Sequence, residues 1–363
     1  MASVLNFIPA DYKQSINNGS ITVSAPSNIA LVKYWGKKEH QIPANPSLSF
    51  TLNHCKTITT LAFSKKDNAD EFSFDLLFEG KPKEDFKPKI QKFFQRIEVY
   101  MPFLKTFHFT IDTQNTFPHS SGIASSASGM AALAVALMQI ERQLNPEMDD
   151  KHFNQKASFL ARLGSGSACR SIKGSAVIWG KHADFSESSD LYGVEFPFPI
   201  HEHFKNYQDT ILLVDKGKKE VSSSVGHDLM HVHPFAEQRF SQAHHNLHHL
   251  STVMQNGNLS DFVNIVESEA LTLHAMMMTS MPYFVLMKPN TLEIINHIWK
   301  FRRDTGIPVC FTLDAGANVH VLYPENVSVE VLNFIKKDLV GYCENGQYIC
   351  DLIGQGSKLI MNN

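Results

Sequence analysis

The stretch FPHSSGIASSASGMAALAVALM, residues 117–138, places seven Ser and Gly residues directly before a run of Ala, Leu, Val and Met. Ser and Gly disfavour helix interiors but suit helix starts, where free backbone N–H groups need acceptors. The Ala-rich segment from about Ser128 to Gln143 has high helix propensity. The stretch therefore predicts a small-residue loop that leads into a mostly buried helix. Such a loop presents N–H groups and a positive dipole end to an anion; the alternative is a capped core helix without a ligand.

Composition limits the classes of protein to which the chain can belong. With 363 residues, 43% hydrophobic and 19% charged, it can bury a core large enough for two domains, or for one α/β unit with an appendage. A net charge of −3 without long runs of one sign gives no reason to expect nucleic acid. We find no membrane-length apolar run and no signal peptide. Five cysteines without a C-x-x-C pair favour free thiols and a cytoplasmic location.

The order of predicted elements indicates an α+β fold. Short segments rich in β-branched and aromatic residues predict strands at residues 21–26, 47–53, 57–64, 71–80, 107–115 and 175–180. Helices are predicted at residues 88–100, 128–143, 151–163, 221–230, 236–278 with a break near Gly257, 291–305 and 328–341. Further strands are expected at residues 210–215, 309–316, 319–324 and 348–354. A stretch rich in Ser, Asp, Gly and Pro at 186–199 predicts a boundary between domains 1–192 and 193–363.

The stretch APSNIALVKYWGKK, residues 25–38, crowds cations and aromatic residues together. A strand is predicted to end at Pro26, and Lys33 and Lys37 then flank the pair Tyr-Trp. Two cations beside two aromatic rings could hold an anionic substrate, because lysine acts as a point charge toward phosphate. A surface loop with an aromatic anchor is the alternative.

Two further stretches place a charged residue beside small ones. In ARLGSGSACRS, residues 161–171, the fork-shaped cation of Arg170 suits a carboxylate or phosphate, although a helix end at Gly164 with a solvated arginine would also explain it. In CFTLDAGANVHVLY, residues 310–323, an apolar strand delivers Asp314 into a tight turn. An acid in that position is a candidate general base, and a turn-capping aspartate is the alternative.

Histidines form two groups in the second half of the chain. One group contains His227, His231 and His233, and the other contains His244, His245, His248 and His249. Spacing of this kind can bind zinc, but no H-E-x-x-H pattern is present and adjacent histidines point to different helix faces. The pattern therefore favours a solvated, weakly basic surface, and we expect no metal ligands here.

Taken in order, six motifs resemble the GHMP kinase superfamily and, within it, the diphosphomevalonate decarboxylases: APSNIALVKYWGK, NPSLSFTL, FPHSSGIASSASG, GSGSACRS, VSSSVG and LDAGAN. The resemblance implies a two-domain α+β fold with an N-terminal domain like ribosomal protein S5 domain 2 and a C-terminal GHMP-type domain. It also implies ATP-dependent decarboxylation of (R)-5-diphosphomevalonate through 3-phosphorylation. The products would be isopentenyl diphosphate, ADP, phosphate and CO2, in the mevalonate pathway of isoprenoid biosynthesis.

The resemblance also implies roles for individual residues. The catalytic set would be Asp314, Lys33 and Arg170. The substrate would be bound by Tyr34, Trp35, Gly36, Lys37, Ser165, Gly166, Ser167, Ala168, Cys169, Arg170, Ser223 and Ser224. The ATP phosphates would be wrapped by Ser120, Ser121, Gly122, Ser125, Ser126 and Ser128. Mg²⁺ would bridge phosphate oxygens and keep several waters, and a homodimer is expected.

Two other functions remain open at this point. One is a GHMP small-molecule kinase, or a decarboxylase that acts on mevalonate or its monophosphate; the other is a catalytically silent protein of this fold that binds a metabolite. The complete catalytic set favours decarboxylation. Departures from the family pattern occur at Pro46, Ala317 and His227, where serine, proline and methionine are more usual, and at His119 to Ser121. They touch nucleotide and diphosphate contacts more than the catalytic set.

Overall fold

The computed structural model describes residues 3–68, 70–118, 123, 125–217 and 223–360, and it gives the backbone but not the side chains of residues 223 and 224. Its strands are β1 Asn18–Val32, β2 Ser47–Lys65, β3 Ser73–Phe78, β4 Lys81–Pro82, β5 Phe107–Asn115, β6 Ala176–Trp179, β7 Val194–Glu195, β8 Gln208–Leu212, β9 Cys310–Thr312, β10 Val319–Tyr323, β11 Tyr348–Leu352 and β12 Lys358–Ile360. Its helices are α1 Lys87–Ile97, α2 Ser125–Leu144, α3 Asp150–Gly164, α4 Ser223–Leu229, α5 Ala236–Asn256, α6 Leu259–Met278, α7 Pro289–Thr305 and α8 Ser328–Phe334. Helical turns extend α8 as far as Tyr342. The predicted α+β class is confirmed.

The described strands form two sheets. The first has eight strands, with the path β12-β1-β2-β5-β3-β4 and with β6 and β7 branching from β2. The second has four antiparallel strands in the order β11-β8-β10-β9. Strand β12 follows the second sheet in sequence but pairs with β1 of the first sheet. The end of the chain thereby ties the two sheets together.

The sequence analysis predicted that strand β1 ends at Pro26. The strand instead continues to Val32. Its pairing with β2 changes register between Pro26 and Asn28, and proline, which has no N–H to donate, is tolerated at such an irregularity. The stretch that follows Pro26 is therefore a buried strand and not a surface loop. The strand delivers Lys33 into the interior of the protein.

Two predicted strands, at 47–53 and 57–64, prove to be the single 19-residue strand β2. At the junction, the backbone N–H groups of Asn53, His54 and Cys55 donate to the carboxylate of Asp351 at 2.9, 2.8 and 2.7 Å. Asp351 lies on β11 of the second sheet, so this carboxylate satisfies the backbone where the β1 pairing is interrupted. No local pattern indicates so distant a partner.

Helix α2 is almost enclosed by the first half of the protein. Its Ala-rich residues 131–138 are all buried, and they pack with α3 against the first sheet in a core that also includes Phe94 and Phe109. The predicted buried helix is confirmed and begins at Ser125, slightly earlier than expected. None of the described helices is long and apolar enough to cross a membrane.

A second core lies between the two halves of the chain. It combines Leu31 of β1 and Phe50 of β2 with Ile211 of β8, Leu247 of α5 and Phe262 of α6. Because all five side chains are buried, the two sheets are held together by a shared apolar interior. This packing brings the end of β1 close to the turn after β9.

Candidate active site

Lys33, directly after β1, and Asp314, shortly after β9, form an ion pair with 3.1 Å between Nζ and Oδ1. Lys33 is 1% exposed, whereas 31% of the Asp314 side chain is exposed, so only the carboxylate can meet a ligand. Lys33 Nζ also donates to the carbonyl of Ala30 at 2.6 Å. Burial lowers the pKa of Lys33 below its usual value, and the neighbouring Asp314 carboxylate opposes that shift. The charges of the two groups are therefore coupled.

Buried polar side chains fix the backbone on both sides of this pair. The Lys33 N–H donates to Glu269 Oε2 at 2.8 Å, and the Lys33 carbonyl accepts from Asn45 Nδ2 and Arg239 Nη2 at 2.9 and 3.1 Å. Glu269 and Arg239 form an ion pair with both side chains fully buried. His274 Nε2 donates to the carbonyl of Asp314 at 3.1 Å. Helices α5 and α6 thereby position the lysine and the aspartate together.

We expect Glu269→Gln to destabilise the protein by about 3–5 kcal/mol, because it leaves the guanidinium of Arg239 buried without its countercharge. Chemical denaturation measures the change. The matched control is Glu187→Gln, which breaks an ion pair to Lys151 whose side chains are both mostly exposed, and it should leave the denaturation midpoint unchanged. Equal midpoints for the two variants would contradict a central role for the Glu269 carboxylate.

Arg170 is 3% exposed and is not the solvated residue that the alternative interpretation required. Its Nε donates to Asn28 Oδ1 at 3.3 Å and its Nη1 donates to Ser47 Oγ, while its guanidinium carbon lies 5.8 Å from the centre of the Trp179 ring. Among the described residues, Nη2 makes no hydrogen bond, so its two donors remain for a ligand. The pKa of Arg170 is lowered by burial and raised again by Cys169 and Asp314.

Arg170 lies in a short 3-10 helix, Gly166–Ser171, that follows the end of α3. Ser165 and Ser167 are partly exposed, whereas Gly166, Ala168 and Cys169 are buried. A side chain at Gly166 would lie 3.0 Å from the Tyr34 hydroxyl, so glycine allows the tyrosine to pack closely. Burial raises the pKa of the Cys169 thiol to about 12, which keeps it protonated.

The three residues after Lys33 pack around His227 of α4. The His227 ring centre lies 4.2 Å from that of Tyr34 and 4.6 Å from that of Trp35. Gly36, at φ +100°, donates its N–H to His227 Nδ1 at 3.0 Å. The sequence analysis placed His227 on the surface. That prediction is wrong, because the residue is only 9% exposed.

The other predicted histidine positions divide between surface and interior. His231, His244, His245, His248 and His249 are exposed, as predicted. His233 is buried instead, and its Nε2 donates to the carbonyl of Met276 at 3.1 Å. Within the part of the chain that the structure describes, no group of three or more His, Cys, Asp or Glu side chains could hold a metal ion.

Lys37 lies beside the group that Tyr34, Trp35 and Gly36 form around His227. Its Nζ is 3.3 Å from Asp228, whose side chain is 59% exposed, so the pair remains open to solvent and to an anion. Ser223 and Ser224 begin α4 and are near His227 in sequence, but their side chains are not described. The structure therefore brings together Lys33, Tyr34, Trp35, Arg170 and Asp314, with Lys37 beside them.

The serines predicted to contact a nucleotide lie at the start of α2. Ser125 is half-buried, and Ser126 is exposed and accepts from Lys89 Nζ at 2.8 Å. Ser128 is fully buried, with its Oγ 2.7 Å from Thr57 Oγ1, so protein encloses it. Ser120, Ser121 and Gly122 lie outside the described residues.

A cavity of about 330 Å³ adjoins Ser125 and Ser126. Its walls are mainly apolar, with Phe78, Phe86 and Ile90 among them, and polar groups are contributed by residues such as Lys89 and Asn115. A flat heteroaromatic ring suits such walls. The sequence analysis did not single out this cavity.

Several residues that build the site were missed by the sequence analysis. Asn28 and Ser47 fall inside quoted motifs, but their role as partners of Arg170 has no local signal. Glu269, Arg239 and His274 lie in α5 and α6, whose sequences have the pattern of ordinary amphipathic helices. Arg239 and Glu269 are 30 residues apart, so their pairing can be recognised only when the packing of α5 against α6 is known.

Comparisons with known proteins agree over most of the chain. Residues 25–190 match the diphosphomevalonate decarboxylase-like N-terminal domain, and residues 210–355 match the mevalonate 5-diphosphate decarboxylase C-terminal domain. Diphosphomevalonate decarboxylase mvd1 of Aspergillus fumigatus is 30% identical over 335 residues, covering 87% of this chain and 79% of the relative.

Solved structures of similar proteins have the same fold. The mevalonate diphosphate decarboxylase from Staphylococcus aureus superposes with a TM-score of 0.80 at 27% identity, covering 95% of this chain and 98% of that one. A structure of MDDEF in complex with MVAPP, AMPPCP and magnesium superposes with a TM-score of 0.79 at 28% identity, covering 94% and 99%.

Proposed function

The chain belongs to the diphosphomevalonate decarboxylase family, and we propose that it converts (R)-5-diphosphomevalonate and ATP to isopentenyl diphosphate, ADP, phosphate and CO2. The observation that carries the proposal is the ion pair between buried Lys33 and partly exposed Asp314, with Arg170 beside it. A related structure that holds MVAPP, AMPPCP and magnesium supports the same substrates for this chain.

Asp314 is the group that handles the proton of the C3 hydroxyl. Its carboxylate is accessible, and Lys33 holds one oxygen at 3.1 Å while His274 holds the backbone carbonyl. A carboxylate fixed in this way accepts or orients the hydroxyl proton as the oxygen attacks the terminal phosphoryl group. Lys33 then stabilises the negative charge around the transferring group, since burial strengthens its field.

Arg170 is proposed to hold the substrate carboxylate. Asn28 and Ser47 orient its guanidinium and leave Nη2 for the ligand. When the bond between C3 and the phosphate oxygen breaks, phosphate leaves with the electron pair and positive charge develops at C3. The electrons of the bond between C2 and the carboxylate carbon then form the C2–C3 double bond as CO2 leaves. A planar cation keeps the carboxylate in the geometry for that step. A kinase that stops at the phosphate ester has less need for such a clamp.

The nucleotide is proposed to bind in the cavity beside Ser125 and Ser126, whose walls fit a purine and whose edge meets the start of α2. Ser120, Ser121 and Gly122 would contact the phosphates in this proposal, and Lys89 would add a positive charge near them. ATP supplies the phosphoryl group, and Mg²⁺ neutralises phosphate charge. In this proposal Mg²⁺ would bind phosphate oxygens of the nucleotide and keep several of its waters.

The proposal also includes the organisation of the protein. Domains at 1–192 and 193–363, a homodimer and a cytoplasmic location follow from the family resemblance and from composition. The free, mostly buried cysteines are consistent with a reducing compartment.

The test is to incubate the purified protein with ATP, Mg²⁺ and one of three substrates: mevalonate, mevalonate 5-phosphate or mevalonate 5-diphosphate. We expect both ADP and CO2 to be released, with the highest kcat/KM for the diphosphate. ADP without CO2 would identify a kinase. Nucleotide binding without turnover of any of the three would identify a silent binding protein.

A further inference from the structure

His227 occupies a built position between two predicted substrate-binding residues. Gly226, directly before it, allows α4 to approach the Trp35 ring, because a Cβ at Gly226 would lie 2.5 Å from that ring. The histidine ring then packs against both Tyr34 and Trp35. Its position is therefore set by close packing and not by chance contact in a loop.

The hydrogen bond from Gly36 determines which nitrogen of His227 carries the proton. Because His227 Nδ1 accepts from the Gly36 N–H at 3.0 Å, that nitrogen has no proton, and a neutral ring carries its proton on Nε2. Burial, together with the nearby cations Lys37 and Arg170, lowers the pKa of His227 to about 3. The ring thus stays neutral at physiological pH.

The Nε2–H of His227 donates to no protein group among the described residues. The ring lies against that of Tyr34, and the charges of Arg170 and Lys37 are close enough to act on it. Asp228, the acid next to His227 in sequence, is paired with Lys37. A neutral N–H near two cations can donate to an anionic oxygen that those cations attract.

We propose that His227 donates a hydrogen bond through Nε2 to a phosphate oxygen at the phosphorylated end of the substrate, and thereby contributes to selection of a phosphorylated mevalonate. This inference rests on the proposed function. The phosphate end is chosen because Lys37 and Arg170 are the cations that act on the His227 ring, and Arg170 is already assigned to the carboxylate. Methionine, the residue more usual at this position, has no N–H and could not make this contact.

Two substitutions separate this role from support of the Gly36 turn. Asparagine can accept from Gly36 with its amide oxygen but has no donor at the Nε2 position, whereas glutamine can extend an N–H toward that position. We expect His227→Asn to raise the KM for mevalonate 5-diphosphate about 10- to 100-fold while the KM for ATP stays unchanged. His227→Gln should recover part of the loss, and His249→Asn, at an exposed histidine of α5, should match the unmodified protein.

Competition by unphosphorylated mevalonate identifies the end of the substrate that His227 contacts. We expect its inhibition constant to be the same in the unmodified protein and in His227→Asn. The inference is overturned if His227→Asn keeps its KM, if the KM for ATP rises equally, or if mevalonate binding weakens as much as diphosphate binding. Absence of turnover in the unmodified protein would instead overturn the proposed function.

Discussion

We expect Asp314→Asn to lower kcat about 10²- to 10⁴-fold while the Kd for a non-hydrolysable ATP analogue stays within about twofold. Asparagine has nearly the shape of aspartate, and its Oδ1 can still accept from Lys33 Nζ. The substitution therefore removes the proton acceptor and leaves the packing of the site in place. Steady-state kinetics and isothermal titration calorimetry measure the two quantities.

The control for this prediction is Asp304→Asn, the same chemical change at an exposed carboxylate on α7 that pairs with Lys300. Its kcat should equal that of the unmodified protein. If Asp314→Asn retained more than a tenth of the original kcat, another group would have to handle the hydroxyl proton, and the ion pair with Lys33 would be structural only.

The second large effect is expected for Arg170→Ala, which should reduce kcat/KM for mevalonate 5-diphosphate about 10²- to 10³-fold. The alanine variant loses the charge and the planar fork together. Arg170→Lys retains the charge and should recover only part of the activity, because an ammonium on a flexible stem lacks the planar guanidinium that Asn28 and Ser47 orient. The comparison therefore separates attraction of the carboxylate from its orientation.

A general loss of structure would also reduce activity, since Arg170 is buried and contacts Asn28 and Ser47. Binding of the ATP analogue and the denaturation midpoint distinguish that case, because the proposed nucleotide cavity does not include Arg170. Normal kcat/KM in a folded Arg170→Ala variant would remove Arg170 from the site. Full recovery by lysine would show that orientation is not its role.

Periodicity and propensity were sufficient to predict the class of the fold and most of its elements. Helix α2 was predicted because an Ala-rich run is a strong local signal that tertiary packing reinforces. The end of β1 was misplaced because proline is a local strand-breaking signal, whereas the irregular pairing at Pro26 depends on β2. The continuity of β2 depends in the same way on Asp351, nearly 300 residues away.

The site shows the same contrast between residues with a local sequence signal and residues whose role depends on distant partners. Lys33, Arg170 and Asp314 stand in short motifs where charged residues follow small or apolar ones, so their resemblance to a known pattern can be read locally. Glu269 and Arg239 could not be found in this way, because their role depends on a buried ion pair between two helices. His227 was placed on the surface because local hydrophilicity says nothing about contacts with residues almost 200 positions earlier.

The most direct test of the central claim is the stoichiometry of ADP and CO2 released from ATP and mevalonate 5-diphosphate labelled in its carboxyl carbon. Both products are measured in the same reaction, with a boiled sample as the blank. We predict one CO2 for each ADP at every time point, because phosphorylation at C3 commits the substrate to loss of its carboxylate. Steady ADP release without labelled CO2 would contradict the account.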